Sequence, residues 1–143
     1  LLNEEDNGFG RFKNPSFNFD SAAGIIYTVD VTKPQGEKIR IERMANGEPF
    51  DLNKTYRVAV NSYRGNGGGD LLTKGAGIPK TELAKRIVYS TDKDLRYYLM
   101  KRIEEVKVLE PKPLNQWKFI PEEWTVPASK RDYDILFGEK ASE

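Results

Sequence analysis

The chain has 143 residues, 38% hydrophobic and 11% aromatic, with a formal net charge of +1. That length supports one domain with a core of its own, and the balanced charge gives no reason to expect a nucleic-acid polymer or an anionic membrane as partner. Cysteine and histidine are both absent, which excludes disulfides and removes the usual groups of zinc sites, catalytic triads and neutral-pH acid–base chemistry. No apolar run is long enough to span a membrane, and no signal peptide is present. A first residue of Leu rather than Met reads as a piece of a longer chain, with any targeting signal expected upstream.

Residues 1–15, LLNEEDNGFGRFKNP, are polar and glycine-bearing and read as a loop or frayed N-terminal remnant, leaving 16–143 as the domain. Next, SFNFDSAAG places Phe17 and Phe19 on one face of an extended chain, just ahead of Ser21, Ala22, Ala23 and Gly24. Small residues beside aromatic rings leave room for a flat ligand; the alternative is that both rings pack in a core. From Gly24 to Thr32 the pattern alternates, with Ile25, Tyr27, Val29 and Val31 on one face of a half-buried strand. KPQG is turn chemistry, and Ile39 and Ile41 continue as the second strand of a hairpin. Asn46-Gly47 marks another turn.

Tyr56, Val58 and Val60 alternate as an expected third strand that runs into a glycine loop. PKTELAKRI, residues 79–87, reads as a short helix, and Ile87-Val88-Tyr89 as one more short strand. Thr91 with Asp94 resembles a capping box. Leu95, Tyr98, Leu99, Arg102, Ile103 and Val106 then recur at helical spacing. Leu99 is expected to be buried where this stripe meets the sheet, and Pro111 and Pro113 to end the helix. The tail from Asn115, with Trp117 and Trp124 among prolines, reads as an irregular segment over the core. Strands first and helices later favour an α+β fold with a mixed, largely antiparallel sheet and packed helices.

The glycine loop, NSYRGNGGGD, occupies residues 61–70. It lacks the Gly-Lys-Ser/Thr end of a P-loop, and neither Gly65 nor Gly67 starts a G-x-G-x-x-G match. What remains is a loop whose backbone a ligand could approach closely, with Tyr63 as an apolar face and Arg64 and Asp70 as polar handles. The alternative is a flexible connection with Tyr63 in the core.

At these places the chain resembles the C-terminal, substrate-binding domain of two-domain metallophosphatases related to 5′-nucleotidase, UDP-sugar hydrolases and 2′,3′-cyclic-nucleotide 2′-phosphodiesterase/3′-nucleotidases. FNFDSAAGIIYTVDVT looks like that family's aromatic-x-x-x-x-Gly strand, and MANGEPFDLNKTYRVAVNSYRGNGGGD like its central block. DLRYYLMKRIEE looks like its late helix and NQWKFIP like its closing strand. The Tyr-Arg form of the loop is closer to the cyclic-nucleotide phosphodiesterase branch.

The resemblance implies that the nucleobase is clamped between two rings, a geometry that gains dispersion and accepts several bases. Tyr63 matches one ring, and Phe19, with Phe17 as competitor, matches the other across a slot one ring wide. Asn61, Tyr63, Arg64, Gly67, Gly68, Gly69 and Asp70 make up the loop side of the site, and Asp70 stands one residue out of register with the family's ribose-binding aspartate. No catalytic or metal-binding residue is expected in this chain, and no cofactor. Two divalent metal ions and the phosphate chemistry are expected in an N-terminal catalytic domain that would be its partner, alongside a nucleotide or nucleoside substrate. An exported, periplasmic or cell-surface bacterial location also follows from the resemblance alone. Two other readings stay open: a non-catalytic module whose aromatics form a platform for a glycan or peptide, and a packing domain that only caps a catalytic half.

Overall fold

A computed structural model describes residues 2–4, 10–12 and 19–138. It divides into two units, residues 1–53 with 113–143 and residues 54–112.

The first unit is built on a three-stranded mixed sheet. Its central strand, β3 (Ile25–Asp30), pairs antiparallel with β4 (Ile39–Met44) and parallel with β5 (Trp117–Ile120). The fold class expected from the sequence, α+β with a mixed sheet, is therefore the observed one. The hairpin closes at the expected KPQG turn. There the Asp30 carboxylate accepts from the Thr32 backbone N–H at 2.9 Å and from its hydroxyl at 2.6 Å. Gly36 takes the left-handed φ of +92° that few other residues tolerate. Opposite Ile26 stands Arg43 and opposite Tyr27 stands Ile41, so Glu42 is the extra residue of a β-bulge.

A strand with neighbours on both edges is covered more fully than alternation alone predicts. Tyr27 and Thr28, adjacent and facing opposite ways, are both buried at the centre of β3. The Tyr27 ring stacks on Trp117, centroids 6.0 Å apart and planes 15° apart. Thr28 Oγ1 is buried with no hydrogen-bond partner among the described residues.

Two expectations for this unit are corrected. In place of a loop, Leu2–Glu4 (β1) and Gly10–Phe12 (β2) form an antiparallel ladder; pairing, rather than local alternation, makes these strands. In place of an irregular tail, the closing strand leads into a helix, α3 (Glu122–Phe137). Pro121 stands just before it, where a missing N–H costs nothing, and the Thr125 hydroxyl donates to the Pro121 carbonyl at 3.1 Å. Glu122 and Glu123 in the first turn complement the helix dipole, and Glu122 also pairs with the Lys118 ammonium. Pro127 lies inside the helix, where it removes one backbone donor and crowds the carbonyl one turn earlier.

The second unit is a chain of short helical turns ending in one longer helix. Among the described residues, 54–60 carry no ladder, so the expected third strand is not formed there; alternation alone does not make a sheet. The loop then forms α1 (Ser62–Gly65), a 3-10 turn Gly68–Asp70 and a π turn Leu71–Gly75. Two 3-10 turns, Lys80–Glu82 and Ala84–Arg86, stand where a short helix was expected, and 87–89 form no strand.

Helix α2 spans Leu95–Val106. Its cap is Asp94, which accepts from the Tyr97 N–H at 2.9 Å, and not Thr91, whose hydroxyl bonds the Tyr98 hydroxyl at 2.7 Å. The helix ends at Lys107, φ +63°, before either proline. Leu99 is 48% exposed, against the expected burial. Helical spacing decides which side chains share a face, and not what covers that face.

Candidate functional site

The glycine loop is held together by its own residues. Asn61 caps α1, its side-chain oxygen accepting from the Arg64 N–H at 2.9 Å. Arg64 is 7% exposed, and its guanidinium donates to the Gly68 carbonyl at 3.2 Å. The same guanidinium lies 5.4 Å from the centroid of the Tyr63 ring, within cation–π range. Arg64 thus braces the loop from beneath, while Tyr63 stays 60% exposed.

Space favours glycine at two positions. A Cβ at Gly68 would stand 2.5–2.6 Å from three atoms of the Tyr63 ring, and one at Gly67 would meet Leu83 Cδ1 at 3.1 Å. Gly67 and Gly69 also have left-handed φ values of +89° and +65°. Asp70 follows in the same region at φ +60°, a conformation that aspartate tolerates better than most side chains.

The Asp70 carboxylate pairs with the Lys74 ammonium at 2.7 Å and accepts from the Thr73 hydroxyl at 3.3 Å. The hydrogen bond from Lys74 holds the Asp70 carboxyl below its ordinary range, and the same pairing pushes the Lys74 ammonium up. An open depression of about 490 Å³ lies beside this pair, lined by Gly67, Asp70, Thr73, Lys74, Ile78 and Lys80 among others.

Phe19 belongs to the first unit. It is 58% exposed and packs on the closing strand, 5.6 Å from Trp117 and 6.1 Å from Phe119 between ring centroids. Phe17 lies outside the described residues. The structure therefore gathers Asn61, Tyr63, Arg64, Gly67, Gly68, Gly69 and Asp70 into one loop, and places Phe19 in an aromatic cluster of its own unit.

Sequence reading did not single out Lys74, Gln116, Trp117 or Phe119. The alternating aromatics of QWKF were the available signal, since positions two apart on a strand share a face. Among the described residues no three carboxylates come together as a cation site. With histidine and cysteine absent, this donor set does not fit a dinuclear metal centre.

Residues 5–74 match the family described as 5′-nucleotidase, C-terminal domain. Two curated relatives share this region. The trifunctional nucleotide phosphoesterase protein of Bacillus subtilis is 34% identical over 74% of this chain and 8% of its own length. The 2′,3′-cyclic-nucleotide 2′-phosphodiesterase/3′-nucleotidase of Salmonella typhimurium is 28% identical over 74% of this chain and 17% of its own. The chain thus spans a small part of each relative. No solved structure gives a significant match. The matched segment runs through β3, β4 and the whole glycine loop, and these residues belong to the 5′-nucleotidase C-terminal domain family.

Proposed function

We propose that this chain is the nucleoside-gripping part of a nucleotide phosphoesterase, with the exposed Tyr63 ring stacking on the base. The observation that carries the reading is the Tyr63–Gly68–Arg64 arrangement. The ring is left open to solvent yet fixed, with Gly68 on one side and the buried guanidinium within cation–π distance. A ring fixed before the ligand arrives loses less entropy on binding, and a π-face accepts any base. Asp70, already ionised by its Lys74 partner, is the acceptor proposed for sugar hydroxyls. The family resemblance gives Phe19, with Phe17 as competitor, as a base-stacking ring, and Phe19→Ala tests that assignment by itself.

On this reading the hydrolytic groups and two divalent ions lie in a region of the full-length protein outside these 143 residues. The protein is exported, as the resemblance implies. Names of both relatives, a nucleotide phosphoesterase and a cyclic-nucleotide phosphodiesterase/nucleotidase, support the substrate class.

The test is to titrate the full-length protein with adenosine, uridine and a neutral sugar while following intrinsic fluorescence. Saturable responses to both nucleosides and none to the sugar are expected. A response to the sugar alone would favour the platform reading, for which the cluster of exposed Phe19 and Phe119 around half-buried Trp117 is the observation.

A further inference from the structure

Phe19 lies in a segment with little to fix it locally. Residues 19–24 form no helix or strand, and Ser21, Ala22, Ala23 and Gly24 are small and exposed. Yet the segment is tied down repeatedly by one stretch more than ninety residues later. The Gly24 N–H donates to the Gln116 side-chain oxygen at 2.9 Å, and the Tyr27 N–H donates to the Gln116 carbonyl at 3.0 Å. Trp117 and Phe119 point to the same face of β5, stand edge-to-face with centroids 5.1 Å apart, and both meet the Phe19 ring. Behind them, Trp117 stacks on the buried Tyr27, whose hydroxyl accepts from the Ala22 N–H at 3.1 Å.

We propose that Gln116, Trp117 and Phe119 are positioning residues that seat the Phe19 ring for base binding. The inference rests on the reading of Phe19 as a base-binding ring. Tilted and edge-to-face aromatic contacts are directional, so they set the angle of a ring as well as burying it. Phe19 is 58% exposed, so its outer face is left for a ligand while its inner face rests on Trp117 and Phe119. Gln116 fixes the backbone at Gly24, the point where the segment enters β3. A ring held in this way keeps one orientation between binding events, and the seat therefore acts on substrate affinity rather than on the chemical step.

The test uses the full-length protein with a nucleotide and with p-nitrophenyl phosphate, which has no base. Trp117→Leu is expected to raise the nucleotide KM about 3- to 10-fold, a fraction of what losing a stacked ring entirely would cost. The kcat, and both constants for p-nitrophenyl phosphate, should stay unchanged, which also reports that the variant folds. Trp117→Phe should restore most of the affinity. Phe119→Leu, at a partly exposed position that disturbs the core less, should act in the same direction. In wild type, a nucleotide should change tryptophan emission, and the difference from Trp117→Phe should assign that change to Trp117. The proposal is overturned if Phe19→Ala weakens nucleotide binding while Trp117→Leu and Phe119→Leu bind normally. If Phe19→Ala is itself silent, the ring assignment fails and the seat fails with it. Tyr63→Ala can still weaken binding in that case, so the two failures are distinguishable.

Discussion

The Tyr63 ring lies against Gly68 so closely that a Cβ there would stand 2.5 Å from ring atom Cε2. The backbone at Gly68 is not in the left-handed region, so an alanine there would conflict with the ring and not with its own backbone conformation. The ring belongs to an exposed side chain, so an added methyl would push it from its seat toward solvent and leave the core undisturbed. Gly68→Ala should therefore leave thermal stability nearly unchanged while weakening nucleotide binding toward the level of Tyr63→Ala. In the double variant the two effects should not add, because both act through one ring. Additive losses would show that Gly68 does something other than orient Tyr63.

Buried and exposed leucines give a second contrast. Leu83 is 6% exposed and packs beneath Gly67, whereas Leu99 is half exposed on α2. Leu83→Ala should cost about 2–5 kcal/mol through the cavity it leaves. Leu99→Ala should stay within about 1 kcal/mol, as surface substitutions do. Denaturant unfolding of both variants checks this, and equal losses would contradict the packing described for the second unit.

Much of the first unit was legible in the sequence. The alternation from Ile25 to Val31 and the KPQG turn were sufficient to expect β3 and β4, because a hairpin is a local structure. The strand expected over Tyr56–Val60 shows the limit, since the same alternation there joins no ladder among the described residues. Helix α3 was hidden by its prolines, which read as breakers although one precedes the helix and the other is tolerated inside it. At the candidate site, glycine spacing pointed to the loop and to Tyr63. It did not show that Arg64 turns inward to the Gly68 carbonyl, because burial of an arginine depends on an acceptor that only the folded loop supplies. The contacts of Gln116, Trp117 and Phe119 with residues 19–24 join distant parts of the chain, and no local pattern reports them.

Thr28 gives a stability prediction. Its hydroxyl is buried in the central strand with no partner among the described residues. Valine has nearly the same shape and the same preference for strands. Thr28→Val should stabilise the chain by about 1 kcal/mol or more, the cost of burying a polar group without a partner. A lower melting temperature for this variant would show that the hydroxyl has a partner after all.

The Asp70–Lys74 pair gives a pH dependence with a definite sign. The hydrogen bond from Lys74 lowers the folded-state value of the Asp70 carboxyl below its unfolded value. The pair therefore stabilises the fold above the unfolded value, and that contribution is lost as pH falls through the lower, folded one. Lys74→Ala should raise the Asp70 titration midpoint, read by carboxyl NMR. Its stability difference from wild type should shrink once the pH drops below about 4. An unchanged midpoint would mean that the ion pair is not formed in solution.

The central claim is that Tyr63 binds the base, and the most direct measurement compares two substrates in the full-length protein carrying Tyr63→Ala. Stacking is worth about 1–3 kcal/mol per base, so the nucleotide KM should rise about 5- to 150-fold. Tyr63→Phe should change little, since it keeps the ring face. Hydrolysis of p-nitrophenyl phosphate should be nearly unaffected, because that ester offers no base to the loop. An unchanged nucleotide KM in a stably folded Tyr63→Ala protein, or equal losses on both substrates, would contradict the account.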